Sequence, residues 1–278
     1  MSKDVLGDRM KEFYENRSKT YLTRRVPVII RLDGKAFHSF TKNFKRPYDT
    51  VFHDAMNYTL KYLCENIQGC KVGYTQSDEI TLLLTDYETL TTDGWFNYAV
   101  QKMCSVAASM ATLAFNRFFN ESVRTFWVGM KYDDNGDLDK DEYAQWNVYS
   151  KAIGKGAMFD ARVFNIPKEE VTNCFIWRQQ DATRNAIQML GQTYFSHKEL
   201  DKKSQSDIQD MLMDVHKVNF NDMPVPFKRG VCCYKTVGED IRIDMKTKEE
   251  IRFQRSYWKL DYEIPIFTQD REYIERFV

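Results

Sequence analysis

A chain of 278 residues with 43% hydrophobic and 29% charged positions can bury a sizeable core and has the composition of an ordinary soluble globular protein. Lys plus Arg equals Asp plus Glu at 40 each, so no global field marks a nucleic-acid binder, and no apolar run approaches a membrane span. The N-terminus MSKDVLGDRMKEF is too polar for a signal peptide, and the six cysteines form no CxxC pair, which argues against zinc or a disulfide framework and for a reducing, cytoplasmic setting.

Local charge is more informative. Between residues 19 and 46 there are eight Lys or Arg and a single acid, Asp33, while YDDNGDLDKDEY carries the opposite excess. A basic segment around one carboxylate suits a polyphosphate site with a metal; a solvated basic face is the plainer alternative.

In chain order, residues 26–32 read as a β-branched buried strand with Pro27 near its start, and Asp33-Gly34 allows a sharp turn. Phe52, Met56, Leu60, Leu63 and Ile67 recur at helical spacing, with Asp49 as N-cap and Gly69 as the stop. Residues 70–75 and 79–85 read as hairpin strands around a Gln-Ser-Asp turn. Phe96, Val100, Met103, Ala107, Met110 and Ala114 predict a long helix to about residue 119. Residues 123–129 and 158–164 look like further strands. The resulting β-α-β-β-α-β order is an α+β antiparallel sheet with helices on one face. On it, the end of the first strand and the hairpin turn can lie side by side.

After Pro167 the chain turns helical and polar. KELDKKSQSDIQD reads as a helix or exposed connection, VCCYK as a strand, and IRIDMK as a strand that could pair with it. With no glycine-rich linker, residues 166–278 are expected to form an α/β subdomain packed on a domain of residues 1–165.

Asp33 and Asp78 are hard oxygen ligands that could jointly hold magnesium, and two such ions would clamp the two oxygens of a phosphoryl displacement. Gly34 fits, because its carbonyl can face a metal and the following amides can approach a triphosphate. Asp78 and Glu79 cannot point the same way in a regular strand, so Asp78 is assigned to the metal and Glu79 to a supporting role. Lys35, Arg31 and Arg46 are candidate phosphate contacts, and His38 could contact a nucleotide. A DG turn is commonly only a turn and an SDE turn commonly only solvated; their matched positions raise the metal reading. Phe37 and Phe40 read as core. KYDDNGDLDKDE has part of an EF-hand pattern, with Gly136 and Glu142 in place, but Lys131 stands at the first-ligand position, so it reads as an acidic surface loop.

RLDGKAFHSF, RPYD, YTQSDEITLLL, FDARVFNIP, WRQQDA and FKRG, in that order, resemble the tRNA-His guanylyltransferase family and its guanylyltransferase-like relatives. The resemblance implies a polymerase/cyclase-like palm, an enzyme that adds nucleotides to the 5′ end of tRNA in the 3′-to-5′ direction, and two magnesium ions. It implies Asp33, Gly34 and Asp78 as metal ligands and Glu79 as a further catalytic acid. The nucleotide would lie along Asp33, Gly34, Lys35, Ala36, Phe37 and His38, with Ser77 and Asp78. Arg46 stands where the family often has lysine, and the two cations are not equivalent at a phosphate. ATP, GTP and other nucleoside triphosphates are the implied substrates, tRNA the partner, and a homotetramer the implied assembly.

Eukaryotic members that add guanylate carry a His-Ile-Asn-Asn segment after the WRQ-D motif, where this chain has DATRNAIQ. That departure favours template-dependent repair of tRNA 5′ ends over dedicated addition of one guanylate. A non-catalytic nucleotide- or RNA-binding protein and a nucleotide cyclase are the other readings, disfavoured by the intact acids and by the motifs of the second half. Arg178, Arg184, Lys198, Lys202, Lys203, Lys228 and Arg229 are candidate RNA contacts.

Overall fold

The computed structural model describes residues 4–132, 137–243 and 250–278. An exposed helix α1 (Val5–Phe13) precedes β1 (Val28–Gly34), a short helical turn α2 (Phe37–Phe40), α3 (Thr50–Asn66), and the hairpin β2 (Cys70–Gln76) and β3 (Glu79–Leu84). Then come α4 (Val100–Val128), α5 (Lys140–Lys155), β4 (Phe159–Asn165) and α6 (Lys168–Tyr194). Short helices α7 (His197–Leu200), α8 (Gln205–His216) and α9 (Val225–Arg229) lead to β5 (Val231–Ile243), β6 (Glu250–Asp261) and α10 (Glu272–Glu275).

The six strands form one sheet in the order β4-β1-β3-β2-β5-β6, antiparallel throughout. Its first four strands, with α3 and α4, are the predicted β-α-β-β-α-β unit. Side chains alternate across a strand, and β1 shows the consequence. Val28, Ile30 and Leu32 join the core with Leu60, Met103 and Phe115, while Ile29 joins a second core with Val72, Leu83 and Phe175. Both helices of the unit therefore pack on one face, and α6, from the second half of the chain, covers the other. The α7–α9 region has a small core of its own against α6, including Ile187, Leu190, Ile208, Leu212 and Phe227.

Asp49 anchors the start of α3. Its carboxylate accepts the Phe52 amide at 3.0 Å, the Lys45 amide at 2.9 Å and the Tyr149 hydroxyl at 2.7 Å. One side chain thus caps a helix, as predicted, and pins the loop before it to α5.

Two local expectations are corrected. Residues 123–128 are the last turns of α4, not a strand: Val123 is buried one turn beyond Phe119, and the Phe126 ring meets Tyr149 at 5.4 Å. Packing against α5 outweighs the strand preference of a Val- and aromatic-rich stretch. Of the segment IRIDMK, the described residues Ile241–Ile243 do not pair with VCCYK. Ile241–Ile243 continue β5 itself, whose partner is β6, and residues 244–249 lie outside the described residues.

Gly73 lets β2 approach α3 closely. A Cβ there would stand 2.5 Å from Leu60 and 2.7 Å from the Cys64 sulfur and Leu82. Gly73→Ala should therefore destabilise the fold by about 1–3 kcal/mol through overpacking. Denaturant unfolding measures this; an unchanged midpoint would show that α3 can shift to accept the methyl.

Candidate functional site

The site starts from strand register. Asp33 on β1 is directly opposite Glu79 on β3, and the Gly34 amide donates to the Asp78 carbonyl at 3.1 Å. The end of the first strand and the hairpin turn are thereby joined, as the spacing predicted. Within the turn, Ser77 is left-handed at φ 54° and its hydroxyl donates to Asp78 Oδ1 at 3.1 Å. Gly34 is required by a close approach, since a Cβ would lie 2.3 Å from the Phe37 ring.

Of the residues expected at the site, all but Arg31, Lys35 and Glu79 line a single cavity of 460 Å³. Asp33 and Asp78 stand on its walls, and Arg46 and His38 are exposed at it. The Lys35 amide is engaged by the Met158 carbonyl at 2.9 Å and its side chain is exposed outside the cavity. The Phe37 ring is 3% exposed and packs on Phe40, Phe52, Phe115 and Phe159, so only its backbone is offered to a ligand. First-turn amides of a helix have no intrahelical acceptor, and those of Phe37 and His38 have no backbone acceptor among the described residues.

The aromatic and apolar part of the cavity lining went unread in the sequence. It comprises Phe44, Phe52 and His53, with Met189 from α6 and Phe227 from α9. The His53 ring stacks on Tyr48 at 4.0 Å, and burial pushes its pKa down to about 3, so it is uncharged at neutral pH. Helical spacing placed Phe52 on a buried face, but no local signal brings Met189 or Phe227 here.

Crowded acids define the electrostatics. Burial, joined by the charges of Asp33 and Glu79, pushes the Asp78 pKa up to about 6. Glu79 turns to other partners: its Oε2 lies 2.8 Å from Arg178 and 3.6 Å from Arg31. Arg178, read as a candidate RNA contact, is instead 5% exposed and also pairs with Asp181 at 2.7 Å. Lys198, Lys202 and Lys203 are exposed. Arg184, Lys228 and Arg229 line a second cavity of 490 Å³.

In the acidic segment, Gly136 and its neighbours 133–135 lie outside the described residues, and the Glu142 carboxylate accepts the Lys131 amide at 2.8 Å. Among the described residues no group of three or more His, Cys, Asp or Glu is poised to enclose a metal ion, and no helix is long and apolar enough to cross a membrane.

Comparison with known proteins gives a consistent result. Residues 7–167 match the family described as tRNAHis guanylyltransferase. A bacterial tRNA(His) guanylyltransferase-like protein solved in complex with ATP is 40% identical, with a TM-score of 0.75 over 98% of this chain and 99% of its own. Another, in complex with GTP, is 38% identical, with a TM-score of 0.73 over 99% of each chain. The tRNA(His) guanylyltransferase of Debaryomyces hansenii is 24% identical over 80% of this chain and 80% of its own.

The raised pKa of Asp78 has a measurable consequence. A folded-state pKa of about 6 against an ordinary 3.8 means the fold disfavours the ionised carboxylate. Stability is unaffected below the ordinary value, falls as pH rises through this window, and stays reduced above it. In chelator, Asp78→Asn should be more stable than the parent at pH 8, by up to about 3 kcal/mol, and the gap should close near pH 4. Equal stability at pH 8 would show that Asp78 is not strained when ionised.

Proposed function

The chain belongs to the tRNAHis guanylyltransferase family, a nucleotidyltransferase family, and on that premise we propose that it extends the 5′ end of tRNA in the 3′-to-5′ direction, copying a template. The observation that carries this reading is the convergence of Asp33 and Asp78 on one cavity whose lining also includes aromatic and apolar side chains. ATP and GTP complexes of the bacterial relatives support a nucleoside triphosphate as its occupant.

The donor set fits magnesium. Asp33 and Asp78 offer hard carboxylate oxygens, and a cation beside Asp78 would relieve the burial that disfavours its charge. Two acids do not make a full cage, which suits an ion that keeps waters and takes substrate phosphate oxygens. Asp33, the Gly34 carbonyl and Asp78 would hold it, in a pair of ions. What bound magnesium supplies is a lower pKa for an attacking hydroxyl and neutralisation of developing charge.

The chemistry has two displacements. An oxygen of the RNA 5′-phosphate attacks the α-phosphorus of ATP, pyrophosphate leaves, and AMP becomes joined to the RNA end. The 3′-hydroxyl of the incoming nucleoside triphosphate then attacks the RNA 5′-phosphorus, loses its proton, and displaces AMP. RNA that already ends in a triphosphate skips the first displacement. Such reactions need positioning and charge stabilisation more than covalent help. In this chain the Phe37 and His38 amides and the Arg46 side chain would orient phosphates. Phe44, Phe52, neutral His53, Met189 and Phe227 would exclude water around a base.

The choice of reaction rests on DATRNAIQ, residues 181–188, which form part of α6. Asp181 there is held by Arg178 and Arg184. This segment replaces the His-Ile-Asn-Asn of guanylate-adding eukaryotic members and supports repair. The alternative, a dedicated enzyme adding one guanylate to tRNA-His, is supported by the activity for which the curated relatives are named. The same reading places the enzyme in the cytoplasm as a tetramer and divides the chain into a palm of residues 1–165 and a subdomain of residues 166–278.

Two experiments test the proposal. Asp33→Ala and Asp78→Ala should each lose on the order of 10³-fold in nucleotide addition while remaining folded; retained activity in either would remove the metal assignment. With Mg²⁺ and two 5′-labelled substrates, template-matched extension of a tRNA lacking its first nucleotide is expected. Guanylate added only to a tRNA-His lacking its extra residue would establish the alternative.

A further inference from the structure

Resting on the reading that Asp33 and Asp78 form the nucleotide-handling centre, we propose that Arg178 is a positioning residue that holds the Glu79 carboxylate beside that centre but out of its cavity.

Glu79 is the cross-strand partner of Asp33 and the chain neighbour of Asp78, so three carboxylates meet where β1 ends. Two of them line the 460 Å³ cavity; Glu79 does not. Like charges at directly opposed strand positions are destabilising, so a feature of the fold must keep Glu79 in place. The nearest cation is Arg178, at 2.8 Å; Arg31 stands farther off at 3.6 Å.

The position of Arg178 is built rather than incidental. It comes from α6, 99 residues along the chain from Glu79, and is 5% exposed. A single terminal nitrogen, Nη2, reaches Glu79 at 2.8 Å and Asp181 at 2.7 Å, and Arg184 holds the other Asp181 oxygen at 2.6 Å. Charges therefore alternate from Arg184 through Asp181, Arg178 and Glu79 to Arg31. The Trp177 ring lies 4.3 Å from the Arg178 guanidinium and 4.9 Å from that of Arg31, confining both.

Burying a guanidinium is costly unless its bonds are met, and among the described residues Arg178 Nε has no hydrogen-bond partner. The cost is accepted at a residue whose reach ends on one of the three acids. With Arg178 in place, two carboxylates face the cavity. Without it, Glu79 has one distant cation and can turn toward Asp33, competing for whatever cation Asp33 and Asp78 hold. Arg178 also ties the acid turn to α6, the helix that brings Met189 to the cavity.

A role exerted through Glu79 predicts non-additivity. The test compares Arg178→Met, Glu79→Gln and the double variant in single-turnover 5′-adenylylation of a 5′-monophosphorylated RNA with Mg²⁺ and ATP. Equilibrium ATP binding is measured in parallel, and thermal melts confirm folding. Arg178→Met alone should slow adenylylation by about tenfold or more, with the ATP dissociation constant changed by less than about twofold. Against Glu79→Gln, the same substitution should cost less than about twofold. Arg178→Lys should recover most of the rate, because an ammonium with three donors can still bridge both acids.

Equal losses in both backgrounds, or ATP affinity lost in step with rate, would overturn the proposal in favour of a fold or RNA-contact role. If Arg178→Met does not fold, Arg178→Gln enters the same cycle with the same expectations. Asp33→Ala in this assay separates the two readings. An active Asp33→Ala protein removes the centre itself, whereas an inactive one with an additive cycle removes only the role of Arg178.

Discussion

The register of β1 against β3 is the constraint on which the rest of this site depends. Val28, Ile30 and Leu32 must enter the core under α3 and α4, and a slip of one residue would drive all three to the opposite face. The same register sets Asp33 opposite Glu79 and joins the Gly34 amide to Asp78. Apolar burial therefore aims the acids: the side chains that stabilise the sheet are not the acids themselves, but they leave the acids one position to occupy.

That position is uncomfortable for the acids. Asp78 is partly buried against Asp33 and Glu79, and its ionised form is disfavoured by burial before any neighbouring charge is added. Burial pushes the Glu79 pKa up as well, but two guanidiniums, Arg178 and Arg31, oppose the rise. The Asp78 side chain meets the Ser77 hydroxyl instead. Neighbours in sequence are thus treated differently, one by a hydroxyl of its own turn and the other by cations from β1 and α6. Stability given up at such a place is the usual companion of function.

The two halves of the chain are physically interleaved. β5 pairs with β2 and extends the same sheet, α6 covers the face that β1 leaves open, and Met189 and Phe227 line the cavity. A cavity lined mostly by the first 165 residues thus takes part of its apolar lining, and the cation nearest Glu79, from residues beyond them. A substitution in α6 can act on the acids without touching a substrate.

Several features were legible in the sequence because their causes are local. The alternation in β1, the helical period and Asp49 cap of α3, the Asp33-Gly34 turn and the Gln-Ser-Asp hairpin each follow from preferences of a few neighbouring residues. Their order was enough to specify the β-α-β-β-α-β unit and to bring Asp33 and Asp78 to one edge. The end of α4 was misread because Val123 and Phe126 suit a strand locally and are made helical by packing on Tyr149. Arg178 looked like a surface cation because nothing within a few residues reveals that Glu79, 99 positions earlier, will be its partner. Met189 and Phe227 were silent for the same reason. Sequence by itself determined which acids, glycine and turns are present and which face of each element is apolar. Tertiary structure alone decided which charges are paired, since pairing depends on distances between segments that only packing brings together.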